Sequence, residues 1–204
     1  VLIDGAPQLF DAIEFNPALR WIDCVADIAF LAMDLEARGR ADLAWRFLNA
    51  WLECTGDYAG LPVLDYYRVY RALVRARVAG LRLAQTTGAE RAASLQEQRR
   101  YLELALRFTR PRPVALWLTH GFSGSGKSMQ SLALVCQRGM VRVRADVERK
   151  RLFGLAPEDD SSAVPGGIYT ANASRRTHER LAQVAGWALG AGHAVLVDAT
   201  FLNP

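Results

Sequence analysis

Apolar residues recur at helical spacing from Trp21 to Phe108, and after residue 113 they gather into short unbroken runs separated by polar stretches. The first pattern predicts amphipathic helices and the second predicts buried strands alternating with helices. At the very start, Val1-Leu2-Ile3 and the run over 8–13 flank Asp4-Gly5-Ala6-Pro7, a turn cluster that predicts a short hairpin. After Asn16-Pro17, the residues Trp21, Val25, Ile28, Ala32 and Leu35 predict a helix ending near Gly39. A second helix follows with Leu43, Phe47 and Leu48 on one face, and the segment 55–60 breaks the pattern. Pro62 suits the first turn of a third helix reaching about Leu83, with Tyr67, Tyr70, Val74 and Leu81 as its buried stripe. Arg68, Arg71, Arg75 and Arg82 form a second stripe on that helix, expected to be solvated or salt-bridged. A fourth helix spans about 89–108. Thr109-Arg110-Pro111-Arg112-Pro113 then places a domain boundary between residues 1–109 and 113–204. Beyond it, strands are expected over 114–118, 140–145 and 193–197, with a further helix over about 173–189. Strands alternating with helices imply right-handed crossovers and a parallel sheet whose ligand site lies at the carboxyl ends of its strands.

Composition adds boundaries to this picture. The chain has 204 residues, of which 51% are hydrophobic and 23% charged, as expected of a packed soluble protein. The most membrane-like stretch of the opening, residues 21–33, is interrupted by Asp23 and Asp27 and is too short to span a bilayer. No targeting segment is visible, and Cys24, Cys54 and Cys136, odd in number and set among apolar residues, read as reduced core cysteines of a cytoplasmic protein. Residues 1–60 carry 4 Arg and 10 Asp/Glu, whereas residues 61–112 carry 11 Arg and 4 Asp/Glu. Mutual compensation between the two blocks is favoured over a nucleic-acid face, because aromatic residues are not interleaved as a single-strand binder requires. The chain opens on Val1 and stops at Pro204 just after a strand, which reads as a piece of a longer protein.

The sharpest chemical signal is Gly121-Phe122-Ser123-Gly124-Ser125-Gly126-Lys127-Ser128, a G-x-x-x-x-G-K-S run between the strand over 114–118 and a helix-like segment from Met129. Glycines let the backbone curl so that successive amides point at phosphates, and the helix N-terminus adds partial positive charge. Lys127 is expected to reach the outer phosphates of ATP, and Ser128 to ligate magnesium. A chance match is disfavoured because the chain has only two lysines, Lys127 and Lys150, beside 23 arginines. Asp146 and Asp198 follow the second and third expected strands. Asp198 fits a carboxylate holding the magnesium hydration shell. Asp146 fits a base accepting the proton of an acceptor hydroxyl, with Arg149 three residues on able to orient it or to contact phosphate; the bland alternative is a helix-capping aspartate. Tyr169 and Thr170 are placed either at the acceptor or at the cap of the helix over 173–189.

On these motifs, G-F-S-G-S-G-K-S, R-A-D-V-E-R-K-R and V-D-A-T-F-L-N-P, residues 113–204 resemble the P-loop kinases related to polynucleotide kinase and zeta toxins. The resemblance implies an acceptor-site base at Asp146, a supporting Arg149 and a cleft lined by Asp198 and Thr200. Residues 1 to about 109, through L-F-D-A-I-E-F and W-I-D-C-V-A-D-I-A-F, resemble the carboxy-terminal lobe of aminoglycoside phosphotransferase-like proteins, which would make Asp11 a magnesium ligand. The implied fold class is α/β, a P-loop NTPase-type parallel sheet truncated before its lid, preceded by a mainly helical kinase-like fragment with an N-terminal hairpin. The implied activity is transfer of the terminal phosphate of ATP, with magnesium, to a hydroxyl of a small molecule or a polynucleotide end. The H-G-D loop and the lid of such kinases have no counterpart here, so only weak ATP hydrolysis is expected of these residues alone. Two other readings stay open: a nucleotide-gated binding module, and a nucleic-acid binder using the arginine helix.

Overall fold

The computed structural model describes residues 2–3, 6–7, 21–122, 124–162 and 164–201. β1 (Leu2–Ile3) pairs antiparallel with β2 (Ala6–Pro7), so the hairpin forms with its second strand earlier than expected. Four helices follow: α1 (Cys24–Ala37), α2 (Ala41–Thr55), α3 (Leu61–Leu83) and α4 (Gly88–Phe108), with a single 3₁₀ turn at Tyr58–Gly60. Asp23 caps α1 by accepting from the Val25 amide at 2.9 Å. The remainder alternates as β3 (Leu116–Leu118), α5 (Lys127–Arg138), β4 (Val141–Arg144), α6 (Ala145–Leu152), α7 (Ala171–Gly190) and β5 (Val195–Asp198). The strands form one parallel sheet in the order β3-β5-β4. The molecule is thus mixed α/β and mostly helical, with a small open parallel sheet compatible with a P-loop fold.

Strand periodicity decides what lies on each face of that sheet. Val195 and Val197 of the central strand join a core with Leu181, Val184 and Ala188 of α7, whereas Leu196 turns to the other face beside Val135 and Met140 under α5. The first core also takes in Val25, Trp45, Leu48, Leu52, Tyr58, Leu61 and Leu64. Residues on both sides of the proline-rich segment 109–113 therefore share one hydrophobic core. A separate seam of Met33, Ala72, Ala76, Tyr101, Leu104, Ala105 and Phe108 joins α1, α3 and α4. On β3 the three side chains are all exposed, Leu116, Trp117 and Leu118 included.

Several expectations need correction. The buried stripe of α3 is Leu61, Leu64, Arg68, Ala72, Ala76 and Ala79, and Tyr70, Val74 and Leu81 are exposed. Alanines let α4 approach closely, so the small residues face inward and the larger ones lie outside. Arg68, expected on a solvated face, is buried. It ion-pairs with Glu36 and with Asp65 (3.1 Å), and its guanidinium lies 4.1 Å from the Phe108 ring centre. The other arginines of that row meet carboxylates: Arg71 with Asp27 at 3.7 Å, Arg75 and Arg82 with Glu97 at 3.9 and 3.7 Å. On α2 the buried face is Ala44, Trp45, Leu48, Asn49, Leu52 and Glu53, with Leu43 and Phe47 at its margin. On α1 it is Val25, Ala26, Ala29, Ala32, Met33 and Ala37, and Trp21 precedes the helix. Cys24 and Cys54 are exposed, so neither is a core cysteine, whereas Cys136 is half-buried against the core of Val135, Met140 and Leu196; all three are free thiols. Among the described residues no helix is long and apolar enough to cross a membrane.

Candidate active site

The loop between β3 and α5 is laced to β5 and the segment after it by backbone bonds, Thr119 N–H to Val197 O at 3.1 Å and Gly121 N–H to Thr200 O at 3.2 Å. Gly124 and Gly126 take φ of +79° and +80°, a region that a side chain resists, and a Cβ at either would project into open space. Those conformations curl the loop into the start of α5 at Lys127, where the first helical amides have no intrahelical acceptor and the helix dipole is positive. The Lys127 ammonium folds over the loop and donates to Gly121 O at 2.8 Å, to Phe122 O and to Ser125 Oγ at 3.3 Å. Ser123 and Asp11 lie outside the described residues.

Asp198, at the carboxyl end of the central strand, is buried. Its Oδ1 lies 3.2 Å from Thr119 Oγ1 and its Oδ2 3.1 Å from Ser131 Oγ. Thr119 also donates to Ala199 O at 2.8 Å and accepts from the Ala199 amide at 3.0 Å, so the two strand ends are locked together. The Ser128 hydroxyl and the Asp198 carboxylate are hard oxygen donors of the type that suits magnesium, which keeps most of its shell as water and phosphate oxygen. Among the described residues no group of three or more His, Cys, Asp or Glu could hold a metal ion.

Asp146 stands in the first turn of α6, since β4 ends at Arg144 and the helix begins at Ala145. The expected strand over 140–145 is therefore shorter, with Arg144 at the N-cap, so Asp146 is not a capping residue. Its carboxylate accepts from Tyr169 Oη at 3.4 Å and lies 3.7 Å from Lys150 Nζ. Arg149, expected either to orient Asp146 or to contact phosphate, sets its guanidinium 4.7 Å from the Tyr169 ring centre, and its buried Nε has no partner among the described residues. Thr170 caps α7 by accepting from the Ala173 amide at 3.2 Å, leaving Tyr169 as the cleft residue of the two. One open cleft of about 690 Å³ is lined by Gly124, Gly126, Lys127, Ser128, Asp146, Arg149, Tyr169, Asp198 and Thr200, among others.

Residues hydrogen-bonded to the candidate site that sequence reading missed are Thr119, Ser131 and Arg142. Thr119 follows β3 and Ser131 sits one turn into α5, so each could have been found as a polar residue adjoining the loop. Arg142 breaks an apolar strand with a charge, and it reaches Ser128 O at 3.0 Å.

With this geometry in view, residues 116–204 match the model of a family described as an AAA domain. Uncharacterized proteins of Mycobacterium tuberculosis (strains H37Rv and CDC 1551) and Mycobacterium bovis are each 34% identical to the chain over 204 residues. The alignment covers 100% of this chain and 40% of each relative, so the chain spans less than half the length of the curated relatives it matches. No solved structure matches it. The glycine loop, the helix it opens and the strand-end aspartate thus stand inside a segment similar to P-loop nucleotide-binding domains.

Proposed function

We propose that residues 113–204 act as an ATP-dependent phosphotransferase, moving the terminal phosphoryl group of ATP to a hydroxyl acceptor. The observation that carries this reading is the convergence of Lys127, Ser128 and Asp198 with Asp146, Arg149 and Tyr169 on one cleft. The loop amides and Lys127 bind and neutralise the phosphates. Ser128 and Asp198 would hold magnesium, which when bound would draw charge from the phosphate oxygens. Asp146 accepts the proton of the acceptor hydroxyl as its oxygen bonds to the terminal phosphorus and the bond to ADP breaks. Arg149, with an unpaired buried N–H, is suited to an anionic oxygen on the transferred group or on the acceptor. Support for the aminoglycoside phosphotransferase-like part of the reading, with Asp11 as a magnesium ligand, is confined to the sequence motifs of residues 1 to about 109.

The test is incubation of the full-length protein with γ-labelled ATP and a panel of hydroxylated metabolites and 5′-hydroxyl oligonucleotides. Label should pass to one class, and Asp146→Asn should lower that turnover about 10²- to 10⁴-fold while ATP binding changes little. Tight ATP binding with no transfer to any acceptor would replace this reading by the nucleotide-gated module.

A further inference from the structure

Arg142 occupies an edge strand of the sheet, yet its guanidinium is buried and points to two destinations. Toward α2, its Nε and Nη2 lie 2.8 and 2.7 Å from Oε1 of Glu53. Toward the phosphate helix, its Nη1 donates to Ser128 O at 3.0 Å and reaches Ser131 Oγ at 3.4 Å. Ser131 Oγ is in turn 3.1 Å from both Ser128 O and Asp198 Oδ2. A continuous set of hydrogen bonds therefore runs from Glu53, through Arg142, to the first turn of α5 and the strand-end carboxylate. Glu53 lies outside the segment 116–204 that matches a known family. It also holds Arg144 at 3.3 Å through Oε2, and its backbone carbonyl accepts from Arg151.

We propose that Glu53 and Arg142 are positioning residues through which the helical half sets the placement of Ser128 and Asp198 for the magnesium-bound nucleotide; the inference rests on the nucleotide-binding reading above. Two physical points carry it. A buried ion pair gains little net stability over a packed apolar pair, so the arrangement is best understood by what it orients. Charged donors also make short, directional bonds, and here one guanidinium fixes a carbonyl and a hydroxyl of the very turn that presents Ser128. Asn49 supplies an internal contrast on the same helix. Its amide donates to Met140 O at 3.0 Å and accepts from Arg142 N–H at 2.6 Å, binding the backbone at the start of β4, and none of these hydrogen bonds runs to α5 or Asp198.

The experiment measures ADP binding by calorimetry, with magnesium and in EDTA, for wild type, Glu53→Gln, Arg142→Lys, Asn49→Ala and Lys127→Ala, with melting temperatures alongside. Glu53→Gln should weaken magnesium-ADP binding about 3- to 30-fold, the range of coupling expected along such a chain, and leave binding in EDTA within about twofold. Arg142→Lys keeps the charge but is too short-forked to serve both destinations; it should repeat the pattern, and it carries the test if Glu53→Gln does not fold. Asn49→Ala should melt earlier with unchanged magnesium dependence. Wild-type magnesium dependence in both Glu53→Gln and Arg142→Lys, with only their melting lowered, would make the pair structural and overturn the proposal. Equal ADP binding by wild type and Lys127→Ala, or none by wild type, would overturn the nucleotide reading itself and the proposal with it.

Discussion

His193, just before the central strand, is 1% exposed, packs edge-on to Trp45 and has Arg112 Nη2 3.1 Å from its Nδ1. Burial, with Arg112 and Arg68 beside it, pushes its imidazole down to about 3. The unfolded chain would take up that proton near the ordinary value of about 6.5. Acidification from neutral pH therefore protonates the unfolded state alone, and stability falls as pH drops until the folded value is reached. Burial raises the neighbouring Asp65 carboxyl and so opposes the trend in the carboxylate range. Between pH 7 and pH 5, wild type should lose about 2 kcal/mol more unfolding free energy than His193→Gln, read by urea denaturation. Equal losses would remove His193 as the source. This residue carried no signal in the sequence, because the cations that depress it come from Arg68 and Arg112, far away along the chain. The glycine loop was legible for the opposite reason: its glycines, Lys127 and Ser128 lie within eight consecutive positions, and local spacing suffices to specify them.

Among the elements, helix existence followed from periodicity while helix orientation did not. On α3 the aromatic and branched residues Tyr70, Val74 and Leu81 suggested the inner face, but close contact with α4 selects alanines there and leaves the large side chains outside. Strand β4 shows how tightly α2 is seated. Gly139, which ends α5 at φ +69°, would place a Cβ 2.9 Å from Trp45 Nε1. Gly154 has a similar φ of +73° with open space around it. Gly139→Ala should thus destabilise by about 2 kcal/mol or more, combining backbone strain with overpacking, and Gly154→Ala by about 1 kcal/mol. Comparable melting temperatures for the two variants would mean that the ring of Trp45 yields freely.

At the scale of the molecule, the proline-rich segment 109–113 is a division in sequence that the packing bridges, since Trp45, Leu52 and Leu64 share a core with Val143, Val184 and Val197. We propose that a nonspecific protease cuts first within 109–113 and that the two fragments stay together through gel filtration. First cuts near Tyr70 would refute the boundary, and separate elution would refute the cohesion. Composition and periodicity could announce two regions of different character, but no local pattern reveals that Asn49 and Glu53 of the first are seated on β4 of the second. The same contact makes the sheet lopsided. Asn49 occupies the hydrogen-bonding groups of β4 at Met140 and Arg142, so the sheet is plugged on that side. Among the described residues its other margin, β3, lies bare, with Leu116, Trp117 and Leu118 exposed. Any additional strand therefore has one way to enter. It would lie directly beside the strand that delivers Gly121, and the rigidity of the phosphate cradle would depend on a neighbour arriving from that single direction.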